Sequence, residues 1–339
     1  MKSAVFVALF ALGCGKSAHK AETGSGSGSG TPVAVTHDAG SAAATAQSEE
    51  PTDPPPPPIV KPGGKGDCKT EYAPKPTRDP NPMCKVDGGT FTMGDDNERM
   101  AAKVSPYYID QFEVTAAQVS HFLNATHGKY ACSRYKGYDQ PCFYVPDTEV
   151  HPSNKDYVEK QGDKYGAVGG YEQWPFAKAT RPAAAAYCAW AGKKLPTEAQ
   201  WEFAARHDPA TKKDLVYPWG DKFEPLRARC DHKLCGSAEN SVPLQVATFD
   251  GTEGHRDGRS PWGAFDMAGN VAEFVLGCLN DYHPCKDGPC VDPPGEPARK
   301  NEPCDYIERG GDYRAFQPER LTTSNRAQSP GEAGFRCVR

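Results

Sequence analysis

The sequence predicts an α+β domain with low regular secondary structure, stapled by disulfides, and three observations carry that prediction. Composition changes sharply near residue 68, where a Gly/Ser/Pro-rich stretch gives way to a mixed block the size of one domain, about 270 residues. Helical periodicity is confined to the first half of that block; beyond it only short strand patterns and Gly/Pro-rich loops occur. Thirteen cysteines are present, and setting Cys14 apart leaves an even twelve, which in an exported chain favours disulfides over thiols.

Export is read from residues 1–14. Lys2, the apolar run Ala4 to Leu12 and the small Gly13 before Cys14 have the layout of an export signal. The run is too short to cross a bilayer, which takes about 20 apolar residues. The ending Ala11-Leu12-Gly13-Cys14 resembles a bacterial lipobox, which makes Cys14 the expected lipidated first residue of the mature chain. An ordinary cleaved signal with a coincidental cysteine is the alternative. Several acyl chains on one residue would hold the protein on a membrane of the cell envelope, facing the periplasm or the cell surface. No later apolar run is long enough for a transmembrane helix.

Residues 15–67 read as a disordered tether. Gly24 to Gly30 alternates Gly and Ser, which behaves as a flexible coil, and Pro54 to Pro58 favours an extended polyproline spacer. A proline-recognising partner is the alternative for that run. The domain, residues 68–339, opens with Val86 to Gly94, where apolar and polar residues alternate after a Gly pair as in a half-buried strand. Pro106 to Phe112 reads as a second strand. A helix follows: Thr115 and Gln118 form a capping box, Val114 and Val119 a hydrophobic staple, and Val119, Phe122 and Leu123 an inward stripe. Tyr130 to Tyr171 is polar and Gly-rich, a long surface excursion with Cys132 and Cys142 placed for a local bridge. Pro182 to Ala191 is an Ala-rich helix with Pro in its first turn and Gly192 as its stop. A second capping box at Thr197 and Gln200 launches Glu198 to His207, and Tyr217-Pro218-Trp219-Gly220 ends the helical region.

Composition excludes several functions. Charged residues are 24% of the chain, mixed in sign, with a net charge of −5, so no basic stripe exists to neutralise a phosphate backbone and nucleic acid is not an expected partner. Nine histidines lie scattered without an i, i+4 pair or a His-x-Glu, which leaves the iron or zinc sites of other oxygenases and deaminases without a ligand set. No Walker loop or nucleophile elbow sits in its required strand-turn-helix context.

Four stretches carry a resemblance. Leu195 to Glu202 (LPTEAQWE), Asp266 to Phe274 (DMAGNVAEF), Arg309 to Phe316 (RGGDYRAF) and Gly334 to Arg339 (GFRCVR) make residues 86–339 similar to the formylglycine-generating enzyme, or sulfatase-modifying-factor, family. The resemblance implies a C-type-lectin-like fold. It also implies calcium in the loop 266–273, held by the side chains of Asp266 and Glu273 and the carbonyls of Gly269 and Val271. The residues alone allow this, since two carboxylates flank a Gly-Asn turn and offer hard oxygens, although solvated acids beside a turn would read the same. A second calcium site of the family falls near Arg229 and Cys230, where the Arg229 cation stands in place of an Asn ligand and would repel the ion. By the same resemblance Cys188 and Cys337 form a disulfide. Cys278, Cys285, Cys290 and Cys304 can pair in three ways. Cys230, His232 and Cys235 admit a zinc reading, but they lack a second ligand pair, and export favours a disulfide.

The catalytic comparison concerns the same C-terminal stretch. Members that make formylglycine use two thiols five residues apart, the first four residues beyond Arg-Gly-Gly, to bind copper(I) through soft sulfur. Those positions here are Ala315 and Arg320, and Asp312 stands where Ser is usual. Neither Ala315 nor Arg320 can ligate a soft cation, so copper and the oxidase reaction are not expected. Trp190, Trp201, Trp219 and Trp262 are expected in the core, and Arg309, Arg326 and Arg336 as structural ion-pair partners. The expected product is thus a lipid-anchored, non-catalytic binding domain whose groove takes a peptide, a glycan or an envelope protein. An active family enzyme with formylglycine-generating oxidase or other oxidative chemistry and a structural envelope component are the alternatives.

Overall fold

Strand β1 (Cys68–Lys69) pairs antiparallel with β2 (Met83–Val86), which pairs on its other side with β5 (Tyr107–Asp110). Between them, β3 (Gly89–Gly94) and β4 (Arg99–Val104) form a hairpin in which Arg99, Ala101 and Lys103 face solvent while Met100, Ala102 and Val104 face the core. Gly88, between β2 and β3, and Gly89, the first residue of β3, both have positive φ, and a Cβ on Gly88 would run into the Val104 carbonyl. Only glycine fits there. These elements belong to a computed structural model that describes residues 54–57, 65–135, 137–148, 150–236, 242–297 and 302–339. The expected signal, Cys14 and most of the expected tether lie outside the described residues. Within the tether, Pro56 and Pro57 line a small cavity together with Pro80 and Gln118.

Helix α1 (Ala116–Ala125) starts at a complete capping box: the Gln118 amide donates to Thr115 Oγ1, and the Thr115 amide donates to Gln118 Oε1. Its buried stripe of Val119, Phe122 and Leu123 packs with Tyr187 and Trp190 of α2 (Arg181–Trp190). The segment expected to be a surface excursion instead supplies part of this core. It forms β6 (Ala131–Cys132), β7 (Phe143–Tyr144) and the hairpin β8 (Val158–Gln161) with β9 (Lys164–Ala167), and Phe143 and Tyr157 are fully buried. Its polar composition concealed a few aromatic anchors that pack around α1. Helix α3 (Glu198–Arg206), capped by Thr197 and Gln200, buries Trp201, Ala204 and Ala205 in a second cluster with Met100 and Ile109 of the first sheets.

Beyond α3 the chain runs in short strands and loops, apart from a later 3-10 turn and one turn of α-helix, α4 (His232–Cys235), where none was expected; Asp231 caps it and the Cys230–Cys235 bridge encloses it. That bridge takes the two sulfurs the zinc reading required. Strands β10 (Glu273–Cys278), β12 (Tyr306–Arg309) and β13 (Arg326–Gln328) form an antiparallel sheet, while β11 (Cys290–Val291) joins β4 in parallel. Trp190, Trp201 and Trp262 are buried, whereas Trp219 is only partly covered and stacks on Tyr217.

Six disulfides account for all cysteines of the domain: 68–84, 132–142, 188–337, 230–235, 278–304 and 285–290. The final residues are woven through the molecule. Gly334 pairs with Glu273, Val338 exchanges amide hydrogen bonds with Lys194, Arg339 does so with Tyr108, and Cys337 ties this segment to α2.

Candidate functional site

The Arg-Gly-Gly stretch shapes a cleft. β12 ends at Arg309, whose guanidinium is buried and donates to Glu198 at 2.8 Å and to Glu202 at 2.6 Å, both on α3. Burial of three charges is tolerated because each is paired. Arg326 of β13 adds a second donor to Glu198 at 2.7 Å. With the strand end fixed, Gly310 and Gly311 both turn at positive φ, and a Cβ on Gly311 would collide with the Arg320 carbonyl. That close approach brings the 3-10 turn Pro318–Leu321 alongside the chain and leaves a cleft of about 370 Å³, lined among others by Glu308, Asp312, Ala315, Phe316, Arg320 and Gln328.

Ala315 presents a buried methyl group and Arg320 is exposed, so the two positions at which the resemblance places thiols both line this cleft without sulfur. Asp312 is spent locally: its carboxylate accepts from the Arg314 amide at 2.9 Å and from Arg314 Nε at 2.7 Å. Phe316 stands 64% exposed at the rim.

Sequence reasoning missed Glu308. It is 8% exposed, lines the cleft, and accepts a hydrogen bond from Ser329 Oγ at 2.6 Å. Burial pushes its carboxyl up to about 7, with Asp312 and Glu332 adding repulsion and Ser329 and Arg314 opposing it. The only signal in the sequence was an acidic residue just ahead of Arg-Gly-Gly. Its environment comes from the strand pairing of β12 with β10 and β13 and from Ser329 just past β13, which the residue's own neighbours in sequence do not reveal.

The loop 266–273 lies behind the cleft. Asp266, Gly269 and Asn270 all adopt positive φ, and a Cβ on Gly269 would strike the Arg229 carbonyl. Asn270 locks the turn by donating from its amide to Arg229 O at 2.8 Å and from Nδ2 to Glu113 Oε2 at 2.7 Å. Asp266 Oδ2 accepts from the Ala247 amide at 2.7 Å. Glu273 accepts from Trp201 Nε1 at 2.9 Å and pairs with Arg336, whose Nη2 lies 2.6 Å away. Glu113, a third buried carboxylate that sequence reasoning also missed, accepts from the Val271 amide at 3.2 Å. Its pKa is pushed well up, first by burial and then by Asp266 and Glu273, with Arg336 opposing.

Three buried acids thus gather about the Arg336 guanidinium, with more negative charge than it neutralises. Among the described residues no three His, Cys, Asp or Glu side chains converge as a ready metal cage. The expected set of two carboxylates and two carbonyls would offer a cation hard oxygens, but Glu273 already gives both of its own to Arg336, Oε2 to Nε at 2.8 Å and Oε1 to Nη2 at 2.6 Å. Arg229, whose cation argued against a second calcium site in the sequence, is buried and donates from Nε to Val242 O at 3.0 Å. Burial lowers its pKa, yet it remains a cation at that position.

An α+β domain of short strands, braced by disulfides and carrying an Arg-Gly-Gly cleft beside a glycine-turned acidic loop, is the architecture of sulfatase-modifying factors. Residues 69–339 match the sulfatase-modifying factor enzyme 1-like domain, and the chain belongs to that family. It is similar to the formylglycine-generating enzyme of Bos taurus, 26% identical over 294 residues that cover 76% of this chain and 75% of the relative. It is also similar to inactive C-alpha-formylglycine-generating enzyme 2 of Mus musculus, 28% identical over 294 residues covering 76% and 85% of the two chains. Among solved structures, PvdO from Pseudomonas aeruginosa superposes with a TM-score of 0.54 at 21% identity over 82% of this chain and 99% of PvdO, a likeness of fold alone.

Proposed function

We propose that this protein is an exported, lipid-anchored member of the family that binds a ligand in the cleft between Glu308 and Arg320 and does not generate formylglycine. One observation carries the reading: Ala315 and Arg320 stand where the thiols were expected, and all twelve cysteines of the domain are tied in disulfides, so no free thiol is left to hold copper(I). The similarity to a mouse relative named as inactive supports it. The anchor rests on Cys14 and its lipobox-like surroundings. The ligand is a peptide, a glycan or a cell-envelope protein, and calcium bound by Asp266, Glu273 and the carbonyls of Gly269 and Val271 would hold the loop behind the cleft rather than react. A second reading, acid–base chemistry in the cleft, draws on Glu308, whose carboxyl titrates near neutrality.

The deciding experiment incubates the purified chain aerobically with copper(I) and a Cys-x-Pro-x-Arg peptide and reads the peptide mass. An unchanged peptide, beside a thiol-bearing relative that converts it, is the expected outcome. Formylglycine formation would overturn the reading and require a copper site built without Ala315 and Arg320.

A further inference from the structure

We propose that the cleft selects ligands by a single cationic group, a primary ammonium or a guanidinium, which pairs with Glu308. The inference rests on the binding reading above and narrows it to a ligand chemistry.

The argument starts from what surrounds the carboxylate. Ser329, following β13, gives Glu308 one neutral hydrogen bond at 2.6 Å. Its cross-strand neighbours, Phe274 on β10 and Ala327 on β13, bring no charge. The loop after β12 brings Asp312 and Arg314, but that guanidinium is already held by Asp312. Glu332 adds a further negative charge and is itself engaged by the Tyr135 hydroxyl. A carboxylate 8% exposed, with acids for neighbours and the Arg314 guanidinium held by Asp312, has two ways to avoid an unpaired buried charge. It can keep a proton, or it can take a cation from the cleft that it lines.

Binding is then an exchange. The carboxyl O–H releases its proton to solvent, and the ligand cation takes its place as a charge-assisted hydrogen-bond donor. The rim suits a cation carried on an apolar stem: exposed Phe316 can cover the methylenes, and exposed Arg320 can meet a carbonyl or carboxylate next along the ligand. The same Arg320 disfavours a second ligand cation.

The test measures binding of four short probes to the full chain by calorimetry at pH 6 and pH 8. The probes are acetyl-Gly-Lys-Gly-amide, acetyl-Gly-Arg-Gly-amide, Gly-Gly-Gly-amide with a free amino terminus, and the neutral acetyl-Gly-Gln-Gly-amide. A Glu308 midpoint of about 7 leaves roughly a tenth of the carboxyl ionised at pH 6 and roughly nine-tenths at pH 8. A lysine or arginine probe that pairs should therefore bind about tenfold more tightly at pH 8 than at pH 6, and a free amino terminus, itself about half deprotonated at pH 8, about fivefold more tightly. Which probe responds identifies the source of the cation. Glu308→Gln should abolish the pH dependence while preserving the melting curve. Ser329→Ala, which removes a bond favouring the ionised form, should move the binding midpoint to higher pH and retain binding at pH 9. Equal binding of the neutral and cationic probes, or an unchanged response in Glu308→Gln, would overturn the cation inference yet leave a binding cleft. Binding of no probe at either pH would also overturn it. Formylglycine formation in the copper assay is what would remove the underlying reading.

Discussion

The two best-buried disulfides enclose very different lengths of chain, which makes their contributions separable. Cys188–Cys337 spans 149 residues and Cys230–Cys235 spans 5. In the chain-entropy model the long bridge stabilises the fold by about 5 kcal/mol and the short one by about 2, because each removes loop-closure freedom from the unfolded chain. The bridges nested within the long loop shorten its free contour by roughly 30 residues, which changes its contribution by only about 0.2 kcal/mol. All four cysteines are 0% exposed, so replacing each pair by alanine leaves comparable voids, and that cost largely cancels in the comparison. Urea unfolding of the oxidised full chain, of the Cys188→Ala/Cys337→Ala variant and of the Cys230→Ala/Cys235→Ala variant should show the first double variant losing about 3 kcal/mol more than the second. Equal losses, or a larger loss for the short bridge, would place the stabilisation in native packing and refute the reasoning.

Calcium should raise the melting temperature of the full chain and a chelator should lower it, since an ion bound only by the folded state stabilises it by about 2.7 kcal/mol at a hundredfold excess over Kd. Asp266→Asn should blunt that response, and a melt that does not move across a calcium titration would count against the loop as a cation site. Arg309→Met should cost about 3 kcal/mol in denaturant unfolding, because Glu198 and Glu202 lose a buried partner while Arg326 and Arg206 retain part of the pairing. A loss below about 1 kcal/mol would show those two arginines to be sufficient.

Local chemistry was legible in the sequence. Both capping boxes, at Thr115 with Gln118 and at Thr197 with Gln200, appear as read, because a cap is completed within four residues. Pairing across the chain was not legible. Nothing local distinguishes Cys278–Cys304 with Cys285–Cys290 from the two other arrangements, and the parallel match of β11 to β4 joins residues nearly 190 positions apart. The candidate site divides in the same way. Ala315, Arg320 and the loop from Asp266 to Glu273 could be found by counting from motifs, whereas Glu113 acquires its character from residues more than 150 positions away and Glu308 from the strands and loop packed beside it.

The weaving of the last residues bears on when this domain can fold. Before Phe335 to Arg339 are available, Tyr108 and Asp110 lack the carbonyls of Arg339 and Cys337, Lys194 lacks Val338, Glu273 lacks Arg336, and Cys188 has no disulfide partner. A growing or threading chain would therefore hold its first two helices beside an unfinished core, and its longest bridge could close only after the last residues had emerged. The domain is in that sense locked by residues 335–339, and its native state does not exist until they are in place.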